Sequence, residues 1–269
     1  MKRVSVFAIK GGIGKTTVTL LLGLSLAAIG RKVLLVDQDL NSDLSYRLLG
    51  EDLNSYSMFN KTKYGIGSMV FSGSQFMPVN LINNLDLIPM EPDTIIKADQ
   101  RLIISQLKIP ESKYDYVIFD TPPSYDSVVA EAIMKNSDYI YSIITFSAPV
   151  IRTLLIELQK LIPLLTSDLR SPPKFVGLIR NKISLTQGEE LKVMIQNMET
   201  ICNELPIPNA QPCIFNTEIP MRGRIFNYDK IRTYILTLPL NKLLMQIKSV
   251  NAIELANEFE KRIGEVERL

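Results

Sequence analysis

The sequence predicts an α/β fold: doubly wound, with a mainly parallel sheet and helices on both faces. Three observations predict it. Short β-branched apolar runs alternate with longer segments of helical period. Two of the runs, Val33-Leu34-Leu35-Val36 and Val117-Ile118-Phe119, are continuously apolar, as strands covered on both faces must be. A glycine-rich segment, Lys10–Thr17, joins the first apolar run to the first helical one.

The elements are read in chain order. The first strand is expected at Arg3–Ala8. That run follows Met1-Lys2-Arg3 but is too short for a signal sequence, ends in Lys10 and lacks a small-residue cleavage site. Helix Lys15–Ile29 contains the longest apolar candidate, Val18–Ile29. It is interrupted by Gly23 and Ser25 and falls short of the roughly 18 residues of a membrane span. A strand at Lys32–Val36 and a helix at Ser42–Leu49 follow. Ser55–Gly73, rich in Ser, Gly, Tyr and Asn, reads as a loop. Next come strand Leu85–Ile88, helix Thr94–Leu107, strand Tyr116–Phe119, helix Ser127–Asn136, strand Tyr139–Ile144 and helix Val150–Thr166. Ser171-Pro172-Pro173 punctuates the passage to strand Phe175–Ile179, and helix Glu189–Leu205 follows. Ile225–Ser249 resists assignment, and a last helix covers Ala252–Ile263. No repeat and no convincing boundary divides the chain, so residues 1–269 are expected to form a single domain.

Composition narrows the chemistry. A chain of 269 residues that is 46% apolar can bury a large core. The net charge of +2 is too small to imply a nucleic-acid partner by itself. There is no histidine, so catalysis must run on carboxylates, lysines and a bound metal. Cys202 and Cys213 lack C-x-x-C spacing, which weakens metal and redox readings. They agree with a reducing, cytoplasmic setting and leave a disulfide between them open.

Lys10-Gly11-Gly12-Ile13-Gly14-Lys15-Thr16-Thr17 lies between a strand and a helix. Glycines let the backbone approach an anion, and successive N–H groups at a helix start face it. In such a phosphate loop Lys15 neutralises the β- and γ-phosphates of a nucleotide, and the Thr16 hydroxyl ligates Mg²⁺. Lys10 stands where the ordinary pattern has a glycine. The segment therefore resembles the deviant Walker A motif, K-G-G-x-G-K-[ST]-[ST], of the ParA/MinD family of P-loop ATPases. Likeness is greatest to the small ParA (Soj-like) partition ATPases. The resemblance implies a P-loop NTPase fold, ATP and Mg²⁺ as ligands, and slow ATP hydrolysis. It also implies an ATP-dependent homodimer in which Lys10 reaches the partner's phosphates, in the manner of an arginine finger.

Val33–Asp39 ends in two aspartates two residues apart, which share a side if the strand continues. Both emerge at a carboxyl strand end, where open α/β sheets bind ligands. By resemblance to the family's D-x-D-P-Q, Asp39 orients the attacking water, while Asp37 supports the metal or the loop. Leu40-Asn41 departs from Pro-Gln and leaves the shape of this first switch open. Tyr116–Asp120 reads as a Walker B strand, with Asp120 reaching Mg²⁺. Thr121-Pro122-Pro123 resembles the family's second switch. Asn181 and Ile219-Pro220 occupy the places from which the family holds adenine, so Asn181 and Pro220 complete the expected nucleotide set of Gly11, Gly12, Ile13, Gly14, Lys15, Thr16 and Thr17.

The biological partner separates members of the family. Arg222, Arg224, Lys230, Arg232, Lys242 and Lys248 face only Asp229 in their stretch, which suits sequence-independent DNA binding. By resemblance Arg224, with Arg222 and Lys182 near it, contacts non-specific DNA in plasmid or chromosome partition. That implies a nucleoid-associated protein and a centromere-binding (ParB-like) partner. With the loop starting at Lys10, an N-terminal helix-turn-helix is not expected. The alternatives are a MinD-like membrane-associated positioning ATPase and a metallocluster chaperone without DNA binding. The tail is acidic through Glu254, Glu258, Glu260, Glu265 and Glu267, whereas a membrane-binding helix should be basic on its polar face. No membrane partner is therefore expected.

Overall fold

The computed structural model describes residues 1–39, 41–50, 78–90, 109–122, 128–146, 148–167, 171–183, 188–206, 213–221, 232, 235 and 240–268. In chain order the elements are β1 (Lys2–Phe7), α1 (Lys15–Ala28), β2 (Val33–Asp37), α2 (Asp43–Leu49), β3 (Val79–Ile82), β4 (Leu85–Ile88), β5 (Tyr116–Asp120) and α3 (Val128–Lys135). They continue as β6 (Tyr139–Ile144), α4 (Ala148–Leu165), β7 (Lys174–Ile183), α5 (Gly188–Glu204), β8 (Ile214–Pro220), α6 (Leu240–Lys248) and α7 (Ala252–Arg268).

The strands form one sheet in the order β3-β4-β2-β5-β1-β6-β7-β8. Every pairing is parallel except that of β3 with β4. The doubly wound α/β expectation is met, and the alternation of side chains shows how. Val33 and Leu35 enter one buried cluster with α1, α6 and α7, while Leu34 and Val36 enter another with Ile133 of α3. Ile140 and Ile144 face a third cluster built with Leu154, Leu158 and Leu161 of α4. Each face of the sheet is thus sealed by helices.

The strand and helix expectations outside Thr94–Leu107 match these elements to within a few residues, with β7 running longer and α7 extending to Arg268. Thr94–Leu107 and Ser55–Gly73 lie outside the described residues. Three elements were not anticipated. β3 pairs with β4 through a hairpin over Asn83-Asn84, with Asn84 at φ 65. β8 forms an edge despite its polar centre, and α6 emerges inside the unassigned Ile225–Ser249. Cys202 and Cys213 are free thiols, both buried, so the disulfide left open by the sequence is absent.

α7 is docked by both faces. Its apolar side buries Leu255, Ala256, Phe259, Ile263 and Val266. The Phe259 ring meets Tyr116, Tyr141 and Phe215 at centroid distances of 6.3, 6.1 and 6.5 Å. Three of its glutamates bind the sheet: Tyr116 donates to Glu260 (3.0 Å), Tyr139 to Glu267 (2.6 Å), and the amides of Asn216 and Thr217 to Glu258 (2.7 and 2.8 Å). Arg262 lies over the Phe215 ring at 4.2 Å and pairs with Glu258 at 3.0 Å.

Phe259→Ala should lower unfolding free energy by about 3–5 kcal/mol in urea titrations, because a fully buried ring leaves a cavity. Glu260→Gln, which weakens partly exposed pairs, should lower it by less than about 1 kcal/mol.

Candidate functional site

β2, β5 and β1 are neighbours in the sheet, and their carboxyl ends deliver the carboxylates and the glycine turn to one place. β7, two strands beyond β1, delivers Asn181 and Lys182 to the same end. Between them opens a cleft of about 430 Å³, lined by the turn's glycines, Lys15–Thr17, Asp39, Arg47 and Lys182.

The turn needs its glycines. Gly12 and Gly14 have φ of 76° and 99°, where a side chain is strained. A Cβ on Gly14 would sit 2.3 Å from Nδ2 of Asn181. That nitrogen donates to the Ile13 carbonyl at 2.7 Å, so Asn181 braces the turn from behind. A Cβ on Gly11 or Gly12 would meet nothing within 4 Å, which leaves the other side of the turn open to an anion. Gly14 precedes Lys15, the first residue of α1, and accepts the amide of Val18 at 2.9 Å. The amides at the start of α1 therefore face the cleft, a natural seat for phosphate.

The three aspartates have different surroundings. β2 ends at Asp37, so alternation does not carry Asp37 and Asp39 to the same side. Asp37 is fully buried. Its Oδ1 accepts the Asp39 amide (3.1 Å), and its Oδ2 accepts the amide and hydroxyl of Ser45 (2.9 and 2.6 Å). Ser45 Oγ in turn accepts the amide of Met90 at 2.9 Å. Asp37 thus fastens β2, α2 and the end of β4 together, with burial lifting its pKa to about 6. Of its two expected roles the loop, not the metal, occupies its oxygens. Asp39 lines the cleft, and its Oδ1 accepts the amide and side-chain nitrogen of Asn41 (3.0 and 3.1 Å).

Asp120 stands in register beside Asp37 and is fully buried, yet neither of its oxygens receives a hydrogen bond of ordinary geometry. Burial first, and the charge of Asp37 second, push its pKa to about 8, while the adjacent Thr16 hydroxyl and Lys15 pull it back. Buried oxygens without donors await a partner, and a cation is the partner that a carboxylate takes. Asp120 and Thr16 therefore fit Mg²⁺. Among the described residues no three His, Cys, Asp or Glu side chains gather to hold a metal.

Lys15 is buried, and that desolvation lowers its pKa against the pull of Asp120, Asp39 and Glu157. Lys10 is half-buried and, among the described residues, is not one of those lining the cleft. Lys182, expected at DNA, has φ 55 and donates its ammonium to the Gly12 carbonyl at 2.6 Å, so its charge faces the turn. Pro220 ends β8 beside Ile183 of β7. Arg222 and Arg224 lie outside the described residues, as does Pro123.

Three charged side chains escaped the sequence reading. Arg47 and Asp43 both line the cleft and pair at 3.4 Å. Glu157 accepts the amides of Ile9 and Lys10 from beneath the turn. Its signal was legible: with Leu154, Leu158 and Leu161 it falls on the buried side of an amphipathic helix, where a glutamate needs a partner.

A family model described as "AAA domain" matches residues 1–170. An uncharacterized protein of Methanocaldococcus jannaschii is 28% identical over 239 residues, covering 82% of this chain and 88% of that one. The virulence plasmid ParA family protein pGP5-D of Chlamydia psittaci is 31% identical over 154 residues, covering 54% and 57%. The chain spans about half the length of the ParA- and MinD-type relatives it matches. Among solved structures, pNOB8 ParA bound to nonspecific DNA superposes with a TM-score of 0.79 at 20% identity, covering 98% of each chain, which shows a common fold.

The unsatisfied Asp120 generates a test. At about pH 9, above its raised pKa, Asp120→Asn should raise the Tm of metal-free protein, because a buried unpaired charge is removed. The same substitution should abolish the further rise in Tm that magnesium adds to nucleotide in the wild type. Thermal melts with and without each ligand provide the measurement.

Proposed function

The chain belongs to the ParA/MinD-type P-loop ATPases of the AAA domain family, and from that membership we propose that its ATP-bound form is a Mg²⁺-dependent sandwich homodimer that binds non-specific DNA in plasmid or chromosome partition. The observation that carries the nucleotide half of this reading is the buried Asp120 carboxylate, unsatisfied beneath Thr16 and Lys15 at the foot of an open glycine turn.

The chain's own groups divide the work. Turn amides and the start of α1 hold the phosphates, and Lys15 neutralises them in cis. Asp39, at the cleft wall, orients the attacking water. Lys10 reaches the phosphates of the partner subunit, which its absence from the described lining of its own cleft supports. Asn181 sets the turn from behind and, with Pro220, stands near the base. Magnesium, held by Thr16 and Asp120, supplies positive charge to the phosphate oxygens when bound.

For DNA, the supports are the basic stretch around Arg222 and Arg224 and a fold shared with a ParA solved on DNA. Arg232, from the same stretch, packs against Gly50 at the end of α2: a Cβ there would lie 2.7 Å from its Nη1. The opposite end of α2 lines the cleft through Asp43, so one helix lies between the cleft and Arg232 of the basic stretch. A ParB-like partner would supply sequence specificity, and the protein would reside on the nucleoid.

The membrane-positioning alternative is disfavoured by α7, whose apolar face is buried and whose Glu258, Glu260 and Glu267 are bonded to the sheet. Among the described residues no helix is long and apolar enough to cross a membrane. The metallocluster alternative is disfavoured by thiols that are buried side by side and not presented to a second chain.

Two measurements test the proposal. DNA retention with ATP should fall steeply as salt rises and should drop on Arg224→Ala; equal, salt-insensitive retention by both proteins removes the DNA assignment. Light scattering with ATP should show Asp39→Ala accumulating as a dimer and Lys10→Ala remaining monomeric. A wild type that stays monomeric at high concentration with ATP contradicts the sandwich.

A further inference from the structure

Glu157 is 1% exposed, on the side of α4 that faces the sheet. Its Oε1 accepts the amide of Ile9 at 2.5 Å and that of Lys10 at 3.1 Å. Its Oε2 is buried and, among the described residues, has no hydrogen-bond partner, although the Lys15 charge acts on the same carboxylate. Leu154, Leu158 and Leu161 surround its place on the helix, so an apolar residue would suit the packing better. β1 has ended at Phe7, so the strand no longer supplies acceptors for these two amides, and Glu157 does. The two peptides joined in this way lead directly into Gly11, where the turn begins.

We propose that Glu157 is a positioning residue for Lys10. By fixing the Ile9–Lys10 backbone it sets the direction in which the Lys10 side chain leaves the turn, away from its own cleft and toward a second copy's phosphates. The inference rests on the reading of Lys10 as the lysine supplied in trans. Glu157 touches no reacting atom; it acts through the backbone that carries Lys10. A side chain of this length ending in an sp² oxygen suits the task because two amides converge on that one acceptor.

The test compares Glu157→Ala, Glu157→Gln, Glu157→Asp, Lys10→Ala and the double variant Lys10→Ala/Glu157→Ala. Each is measured for ATP binding, turnover, ATP-driven dimerisation and Tm. Glu157→Ala should lose ATP-driven dimerisation and turn over about tenfold to a hundredfold more slowly, as misplacement of a catalytic group does. Glu157→Gln should recover most of the turnover, since its carbonyl can accept both amides. Glu157→Asp should not, because it stops one methylene short. The double variant should be no slower than Lys10→Ala, since both changes remove the same interaction.

Losses that multiply in the double variant overturn the proposal, as does wild-type turnover in Glu157→Ala. Recovery by Glu157→Asp and not by Glu157→Gln also overturns it, because charge and not acceptor geometry would then matter. If Glu157→Ala does not fold, the contrast between Gln and Asp decides. Lys10→Ala that dimerises and turns over normally sinks the trans-lysine reading itself, whereas impaired Lys10→Ala beside normal Glu157→Ala sinks only the role of Glu157.

Discussion

The parallel pairing of β5 with β1 on one side and β2 on the other decides where every charge in the cleft stands. It puts Asp120 opposite Asp37 in register and sets both beside the glycine turn that leaves β1. Two buried carboxylates at strand spacing repel one another. The chain relieves Asp37 by giving it three donors and leaves Asp120 with none. That asymmetry separates a group that holds the loop from a group that waits for a cation. Lys15, buried among Asp120, Asp39 and Glu157, is the counter-charge of this carboxylate group.

The sheet was legible because its strands are covered on both sides. Val33–Val36 and Val117–Phe119 are apolar without interruption, and no other secondary structure suits such short runs. The edges were less legible for the opposite reason. β3 and β8 each have one neighbour and carry polar residues such as Asn80, Asn216 and Glu218, so their pattern is diluted. α6 had a readable stripe at Leu240, Leu243, Leu244 and Ile247, obscured by Pro239 directly before it. For the site, the glycine turn and the strand-end aspartates were visible because their chemistry depends on local spacing. The function of Glu157 depends on a contact across 148 positions of sequence, which no local pattern encodes.

The second-sphere polar groups change the meaning of several expected residues. Asn181 braces Ile13, Lys182 faces Gly12, and Asp37 binds Ser45, so each is spent on the shape of the turn or its neighbours. The turn's left-handed positions are glycines, which accept many backbone shapes, so contacts around the turn must select one of them. Braces from β7 behind and α4 beneath do so here.

The packing of α7 against α1 has a consequence for how the protein is made. The helix that carries Lys15 and Thr16 shares its buried face with residues 252–268, more than two hundred positions later. During synthesis the amino-terminal strand and helix therefore leave the ribosome with an apolar side that has no native cover. That apolar side stays open to non-native contacts until residues 252–268 arrive. Competence to grip nucleotide is then acquired late and all at once, not gradually as the strands appear.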